Sequence, residues 1–327
     1  MKPQCVVTVN GKSVTDAFLR RLSECEVVDR DGVTSDSVRL RLDDDPPAEI
    51  PQPGARIEVS LGYEGSVVSM GSYVAEEVEV ECLPYAITIT GKAAEMGGPA
   101  KEMRRRHWDN ASLSDIIASI ASDLGVEPVV DAALGAFRYD WLGQIAESNA
   151  AFLERLAERH GALFSIKAGR LVFAKRGSGL SATGKALTGL VITPDRVITG
   201  SCRAQFSTRS RYRTVKASWM DRTSGRKRTV EIEGDPDGAS DFEIGQPFAT
   251  EEEAQQAAKA KAGALGRGKL AFSVSLLGDP SIRAGAPCSF AGVRAGLDGV
   301  PLLIEEATHR FSKSGGYTTD ISGSIKE

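Results

Sequence analysis

Short runs of alternating apolar and polar residues dominate the first hundred positions. Val38-Arg39-Leu40-Arg41-Leu42, Arg56-Ile57-Glu58-Val59-Ser60-Leu61, Val74 to Val80 and Ala86 to Thr90 carry the period of two that sends successive side chains to opposite faces of a strand. Turn formers separate them: Asp43 to Pro47, Gly62, Gly65 and Gly71. Evenly spaced short strands predict a small antiparallel barrel or sandwich over residues 1–97, because closure hides edges that would otherwise pair between molecules.

The period changes near Lys101. Ser112 caps a predicted helix with Asp115 at its third position; Leu113, Ile116, Ile117, Ile120 and Leu124 form one apolar stripe before Gly125. A second helix follows Ser148, with Phe152, Leu153, Leu156 and Ala157 inward, Glu154, Arg155, Glu158 and Arg159 outward, and Gly161 as its stop. Leu163 to Ile166 and Leu171 to Phe173 then predict a hairpin, in which Ala168-Gly169 fits a type I turn with a bulge better than a type I′ turn. Residues 101–176 read as a small α+β insert.

A Gly- and Ser-rich connection, residues 177–187, leads to resumed short strands from Val191 onward, a second β domain over 188–327. Within it Thr250 and Glu253 form a capping box for one long helix ended by Gly266. The segment Arg209 to Arg228 reads as a hairpin whose first strand puts Tyr212, Thr214 and Lys216 on one face and Arg211, Arg213 and Val215 on the other.

The two β segments repeat one another weakly. Gly54-Ala55-Arg56-Ile57 leads to Glu76-Glu77-Val78, and Gly285-Ala286-Pro287-Cys288 leads to Glu305-Glu306-Ala307, so Gly and Glu lie 22 residues apart in one copy and 20 in the other. An alternating strand and an Asp-Pro precede each copy: Val38 to Leu42 with Asp45-Pro46, and Phe272 to Leu276 with Asp279-Pro280. A similar strand closes each, Ile87 to Gly91 against Thr319 to Gly323. The fold class expected is mainly β, two related small β-barrel domains flanking a helix-containing domain. The duplication predicts that the strands at Arg56 and Pro287, Glu77 and Glu306, and the strands at Ile87 and Thr319 are equivalent.

Apolar residues at 41% and charged residues at 26% exclude a largely disordered chain, and a net charge of −4 gives no overall pull toward nucleic acid or anionic membrane. Cys5, Cys25, Cys82, Cys202 and Cys288 are dispersed and lack a C-x-x-C, which argues for a reducing compartment without disulfide framework or zinc site. The N-terminus runs straight into strand-like alternation, and no apolar stretch approaches ~18 residues, so the expectation is a protein made in the cytosol that remains soluble.

Candidate chemistry is sparse. The acidic pairs Glu76-Glu77 and Glu305-Glu306 resemble a glycosidase dyad only in composition, since neighbours on a strand point apart. His107, His160 and His309 have no metal-ligand spacing; His160 sits in a last helical turn, where a cation or donor helps satisfy free carbonyls. Gly266-Arg267-Gly268 ends a helix and is not a phosphate loop. Two basic stretches remain, Arg104-Arg105-Arg106-His107-Trp108 and the set Arg211, Arg213, Lys216, Arg222, Arg226, Lys227 and Arg228, which suit subunit contacts or a solvated face better than a DNA-lined lumen. No catalytic, cofactor-binding or metal-binding residue is assigned.

Several stretches resemble the late control protein D family of phage tails: PGARIEVSLGYEG (53–65), GSYVAEEVEV (71–80), TITGKAAEM (88–96), ESNAAFLERLAERHGALFSIKAGRLVFAKRG (147–177), LGDPSIRAGAPCSFAGV (277–293) and HRFSKSGGYTTDISG (309–323). Their order spans nearly the whole chain. The resemblance implies a non-enzymatic baseplate hub, similar to the head region of type VI secretion spike proteins. Three such subunits would present six similar barrels to a hexameric tail tube and three identical faces to a trimeric spike. Implied partners are further copies of the chain, the spike, the tube or tube-initiator protein, other baseplate proteins and the tape measure protein, with DNA only as passing cargo and no membrane. The implied location is the virion tail baseplate, or a bacteriocin particle, with assembly in the host cytoplasm. A tail-associated peptidoglycan hydrolase is the runner-up, and no segment remains to encode its catalytic domain. A carbohydrate-binding β protein would need aromatic platforms that 6% aromatic residues, spread out, do not supply.

Overall fold

The computed structural model describes residues 2–14, 16–32, 36–93, 100, 102–167, 169–177 and 187–326. In the first part, β1 (Pro3–Val9), β2 (Lys12–Ser13), α1 (Asp16–Arg21), β3 (Leu22–Arg30), β4 (Ser37–Asp43), β5 (Arg56–Tyr63), β6 (Ser66–Cys82) and β7 (Tyr85–Ala93) follow one another. The strands pair antiparallel in the order β3-β4-β7-β6-β5-β1-β2. Alternation in β4 buries Val38, Leu40 and Leu42 and turns Arg39 outward. The inward faces of β1, β3, β4, β5, β6 and β7 share a single apolar core containing Val7, Cys25, Val27, Leu40, Val59, Leu61, Tyr73 and Ile89, so the ladder rolls around it.

The next part holds β8 (Met103–Ser112), α2 (Leu113–Leu124), β9 (Glu127–Val130), the single turn α3 (Ala132–Gly135), β10 (Arg138–Ser148), α4 (Asn149–His160), β11 (Ala162–Lys167) and β12 (Arg170–Lys175). Both predicted helices form with the predicted caps. Ser112 Oγ accepts from the Asp115 N–H at 3.1 Å and Asp115 accepts in return from the Ser112 N–H at 3.2 Å; Gly125 closes α2 at φ 68°. Ser148 Oγ accepts from the Ala151 N–H, and Gly161 closes α4 at φ 59°. Ile116, Ile117 and Ile120 of α2 meet Phe152, Leu153 and Leu156 of α4 over Phe164 and Phe173 of the predicted hairpin. Ala168, in the hairpin turn, lies outside the described residues, as do 94–99 and 178–186 at the ends of the insert. The hydrophobic pattern does not single out β8 and β10, the antiparallel ribbon that carries the first basic stretch.

The last part contains β13 (Leu190–Ile192), β14 (Arg203–Phe206), β15 (Thr214–Asp221), β16 (Arg226–Glu233), β17 (Asp241–Glu243), α5 (Glu251–Arg267), β18 (Leu270–Leu277), β19 (Pro287–Phe290), β20 (Leu302–Ser312) and β21 (Gly316–Ile325). β14-β18-β21-β20-β19-β13 wraps a second core of Phe272, Val274, Phe290, Leu302, Ile304 and Ile321. β15, β16 and β17 form a separate three-stranded sheet that buries Val215 and Ala217 against Ala254 and Ala258 of α5. Thr250 Oγ1 accepts from the Glu253 N–H at 3.2 Å, as the cap predicts. Gly266 does not stop α5. The helix runs on to Arg267, and Gly268 follows in a right-handed conformation while the Lys269 N–H closes back on the Gly266 carbonyl.

The duplication is visible in the registers. Strand order β3-β4-β7-β6-β5 in one unit matches β14-β18-β21-β20-β19 in the other. Arg56 opposes Val74 as Pro287 opposes Leu303. Ala75 opposes Gly91 and Glu77 opposes Thr90, with Glu76 as a bulge; Ile304 opposes Gly323 and Glu306 opposes Ser322, with Glu305 as the same bulge. The Gly54 N–H donates to Ala75 O, and the Gly285 N–H donates to Ile304 O, each at 2.8 Å. Gly91 and Gly323 are equivalent for a steric reason: a Cβ on Gly323 would collide with the Leu303 carbonyl, and one on Gly91 would press on that of Val74 at 3.0 Å. The sixth strands differ in direction, β1 running antiparallel to β5 and β13 parallel to β19. The β15–β17 and α5 unit occupies the place of the short β3–β4 connection. The two units are joined: β20 pairs antiparallel with β3, so the strands of both units other than β15–β17 belong to a single 13-stranded sheet.

Candidate functional site

The four acidic residues of the repeat do not converge. Each pair sits where a strand bulges, so its members serve different neighbours. Glu76 meets Lys92 at 3.4 Å and Glu77 is exposed. Glu305 accepts from the Ser324 hydroxyl at 2.7 Å, while Glu306 accepts from Arg30 Nε at 2.8 Å across the β20–β3 junction. Among the described residues no group of three or more His, Cys, Asp or Glu side chains is placed to hold a metal ion.

Two of the three histidines are core residues. His309 is fully buried on β20, its Nε2 donating to Ile282 O at 3.2 Å and its Nδ1 accepting from the Tyr317 hydroxyl at 2.9 Å. His160 is buried beside Tyr139, whose hydroxyl lies 2.7 Å from Nε2, with Phe137 edge-on to the ring. Burial pushes both rings down to about 4. His160 is thus a neutral packing group and not a cation at the helix end, because Tyr139 and Phe137 enclose it. His107 remains outside, stacked on Trp141.

The first basic stretch divides by strand parity. Arg106 points in: its Nε donates to Gln144 Oε1 at 2.8 Å, its Nη1 to Asp123 at 2.5 Å and its Nη2 to Asn149 Oδ1 at 2.9 Å, with the guanidinium over Trp108. Arg104 joins it on Asp123 at 3.3 Å. Met103, Arg105 and His107 point out, beside Ile145 and Trp141 of β10. Of the second basic stretch, Lys216, Arg226, Lys227 and Arg228 lie on the β15–β16 hairpin, whose strands begin at Thr214 and Arg226, whereas Arg211, Tyr212 and Arg213 precede the first strand and do not alternate on it as the sequence predicts. There Val215 is buried and Lys216 lies 2.8 Å from Asp241 and 3.5 Å from Glu231; Arg228 lies 2.9 Å from Asp221. Arg211 meets Asp235 and Asp237. These ion pairs fix the hairpin and its neighbours and neutralise part of the basic stretch.

Sequence reasoning missed the open strand edges. β6 is paired with β5 only as far as Val74 and with Ala55 through Ala75; from Glu76 to Cys82 its second edge carries no strand among the described residues. β14 is likewise paired only with β18. The large apolar side chains Leu83 (84% exposed) and Phe206 (63% exposed) stand at these edges. Exposed edges with apolar side chains are places where another chain adds strands. The signal available in the sequence was the length of the alternation from Val74 past Val80 without an intervening turn former.

The structure is thus a duplicated β scaffold with neutral buried histidines, dispersed acids and strand edges left open among the described residues. The chain matches the phage tail baseplate hub (GPD) family model over residues 23–315, and it belongs to that family. It is 27% identical to the probable baseplate hub protein of Escherichia phage 186, covering 100% of this chain and 94% of the relative. Its fold is that of the 43 kDa tail protein of prophage MuSo2 from Shewanella oneidensis, with a TM-score of 0.73, 17% identity and 98% of each chain covered. The fold also matches an Escherichia coli component of the type VI secretion system, itself described as structurally similar to T4 bacteriophage tail proteins gp27 and gp5, with a TM-score of 0.60, 12% identity and coverage of 98% of this chain and 77% of that one. The chain is therefore a structural component of a phage tail baseplate.

Proposed function

We propose that the chain acts as a homotrimeric, non-enzymatic hub of a contractile tail that adapts a sixfold tail tube to a threefold central spike. The observation that carries this reading is the shared strand order and bulge register of the two β units. Three copies hold six equivalent units, which fit a hexameric ring, and the same three copies offer three identical faces to a trimeric spike. We divide the chain into a first tube-like unit at 1–97, an α+β part at 101–176 and a second tube-like unit at 188–327. The β15–β17 and α5 insertion within the last part breaks the sixfold likeness and gives the assembly a threefold feature. Partners on this reading are the spike, the tube or tube-initiator protein, neighbouring baseplate proteins and the tape measure protein. DNA passes without being held, and assembly takes place in the host cytoplasm.

The test is the mass of the purified chain, alone and co-produced with its spike, by light scattering. The expected result is three times the chain mass of 34.8 kDa, with the buried interface of roughly 2,000 Å² or more that permanent assemblies have. A monomer in both preparations overturns the reading. Cleavage of peptidoglycan by the same preparation, lost on replacing Glu77 or Glu306, overturns its non-enzymatic half.

A further inference from the structure

The β20–β3 junction inside the chain is the place where the second unit meets the first. β20 leaves β19 at the Glu305 bulge and its next residues pair with β3: Glu306 opposes Arg30, Thr308 opposes Val28, Arg310 opposes Glu26 and Phe311 opposes Cys25. The Asp31 N–H donates to the Glu305 carbonyl at the start of this ladder. β6 leaves β5 at the equivalent Glu76 bulge, yet beyond that bulge its second edge carries no strand among the described residues. The equivalent of β3 in the second unit is β14, since Ala204 opposes Phe272 as Val27 opposes Val38, and among the described residues β14 pairs with β18 alone.

We infer that β6 of one copy pairs antiparallel with β14 of the next copy, in the register of the internal β20–β3 junction. Carrying that register across by equivalence sets Val78 against Phe206, Glu79 against Gln205, Val80 against Ala204, Glu81 against Arg203 and Cys82 against Cys202. Two independent features agree with it. By strand parity Glu77, Glu79 and Glu81 share the outer face with Arg203 and Gln205, while Val78, Val80 and Cys82 share the core side with Phe206, Ala204 and Cys202. A slip of one residue would set acids against apolar side chains. Charge is also matched: Arg310 and Glu26 form an ion pair at 2.7 Å across the internal junction, and the equivalent pair between copies, with the signs exchanged, is Arg203 and Glu81, which also holds Arg41 of its own chain.

Head-to-tail pairing of this kind is heterologous and closes a ring when the rotation permits. The number of copies in the ring, three, rests on the function proposed above; the register does not. Each copy contributes β3-β4-β7-β6 and β14-β18-β21-β20, so the pairing continues one sheet around the assembly.

The cysteines give a direct test. Cys5, Cys25 and Cys288 are buried, whereas Cys82 is exposed and Cys202 half-buried. Opposed residues in an antiparallel pair lie about 4.5–5.5 Å apart at Cα, within reach of a short bismaleimide. Treatment of the purified oligomer should link copies through Cys82 and Cys202, identified by peptide mass spectrometry, and C82S or C202S should each abolish the link. In a C82S/C202S background under mild oxidation, E79C with Q205C should form a disulfide and E79C with A204C, whose side chains lie on opposite faces, should not. An oligomer of trimer mass that fails to link at 82–202 and 79–205 overturns the register and leaves the trimer standing. Linking at the expected pairs in a ring of some other number overturns the trimer and supports the register. A chain that remains monomeric when co-produced with its tail proteins overturns both.

Discussion

At the scale of single residues, the two buried histidines tie stability to pH. In the unfolded chain an imidazole titrates near its ordinary 6.5, whereas burial holds His160 and His309 down to about 4 in the folded protein. Between those values the unfolded state binds protons that the folded state refuses. Stability contributed by the neutral rings is therefore complete above pH 6.5, falls as the pH drops through the window, and levels off below 4. The linkage is on the order of 3 kcal/mol for each ring across the full window. Urea midpoints measured at pH 7 and pH 5 should show a clear loss, and H309Q, which keeps a donor for the Ile282 carbonyl, should lose less between the two pH values. Equal losses in both proteins would exclude His309 as a source. In the sequence these histidines stand apart from any metal-ligand spacing, but nothing local distinguishes a surface imidazole from a buried one. The enclosing groups, Tyr139 for one and Tyr317 with Ile282 for the other, come from other segments.

At the scale of elements, helices were the most legible part of the chain, because caps and stripes act over a few residues. Ser112 with Asp115, Ser148, Gly125 and Gly161 all occupy the cap positions their types suggest. β8 and β10 were not legible, since the inward face of β8 carries Arg104 and Arg106 in place of aliphatic side chains. A guanidinium can face inward only where partners replace its hydration, and those partners come from elsewhere: Asp123 from the end of α2, Gln144 from β10 and Asn149 from α4. Gln144 and Asn149 are fully buried, so their oxygens lose donors when the arginine goes. R106A should cost about 2–4 kcal/mol, as expected for a hydrogen-bonded charge removed from buried polar partners. R106K should recover little, because a single ammonium cannot serve three acceptors that diverge as a guanidinium fork does. R105A, one residue along on the exposed face, should change stability by less than about 0.5 kcal/mol. Chemical denaturation of the three variants decides the matter, and similar losses in R105A and R106A would contradict the parity of β8.

At the scale of the whole molecule, the weak repeat was the most informative signal in the sequence, since Gly54 with Glu76 and Gly285 with Glu305 mark the same bulged strand in both units. The joining of those units through β20 and β3 was not legible, because pairing between strands almost 280 residues apart leaves no local trace. The free edges carry the last prediction. In an antiparallel ladder successive residues alternate between pointing their N–H groups to one neighbour and to the other. Asp31 donates to Glu305 in the internal junction, so in β3 the odd-numbered residues face β20, and by equivalence Ala204 of β14 faces outward and opposes Val80 of β6. A proline at either position removes a donor directed at another copy and none used within the chain, and prolines are tolerated on strand edges. V80P and A204P should each keep the circular dichroism and thermal midpoint of the monomer close to those of the parent while lowering the oligomer mass to that of one chain. E79P should instead unfold part of the sheet, because its N–H faces β7. Variants V80P and A204P that assemble as well as the parent would show that copies meet through some other surface.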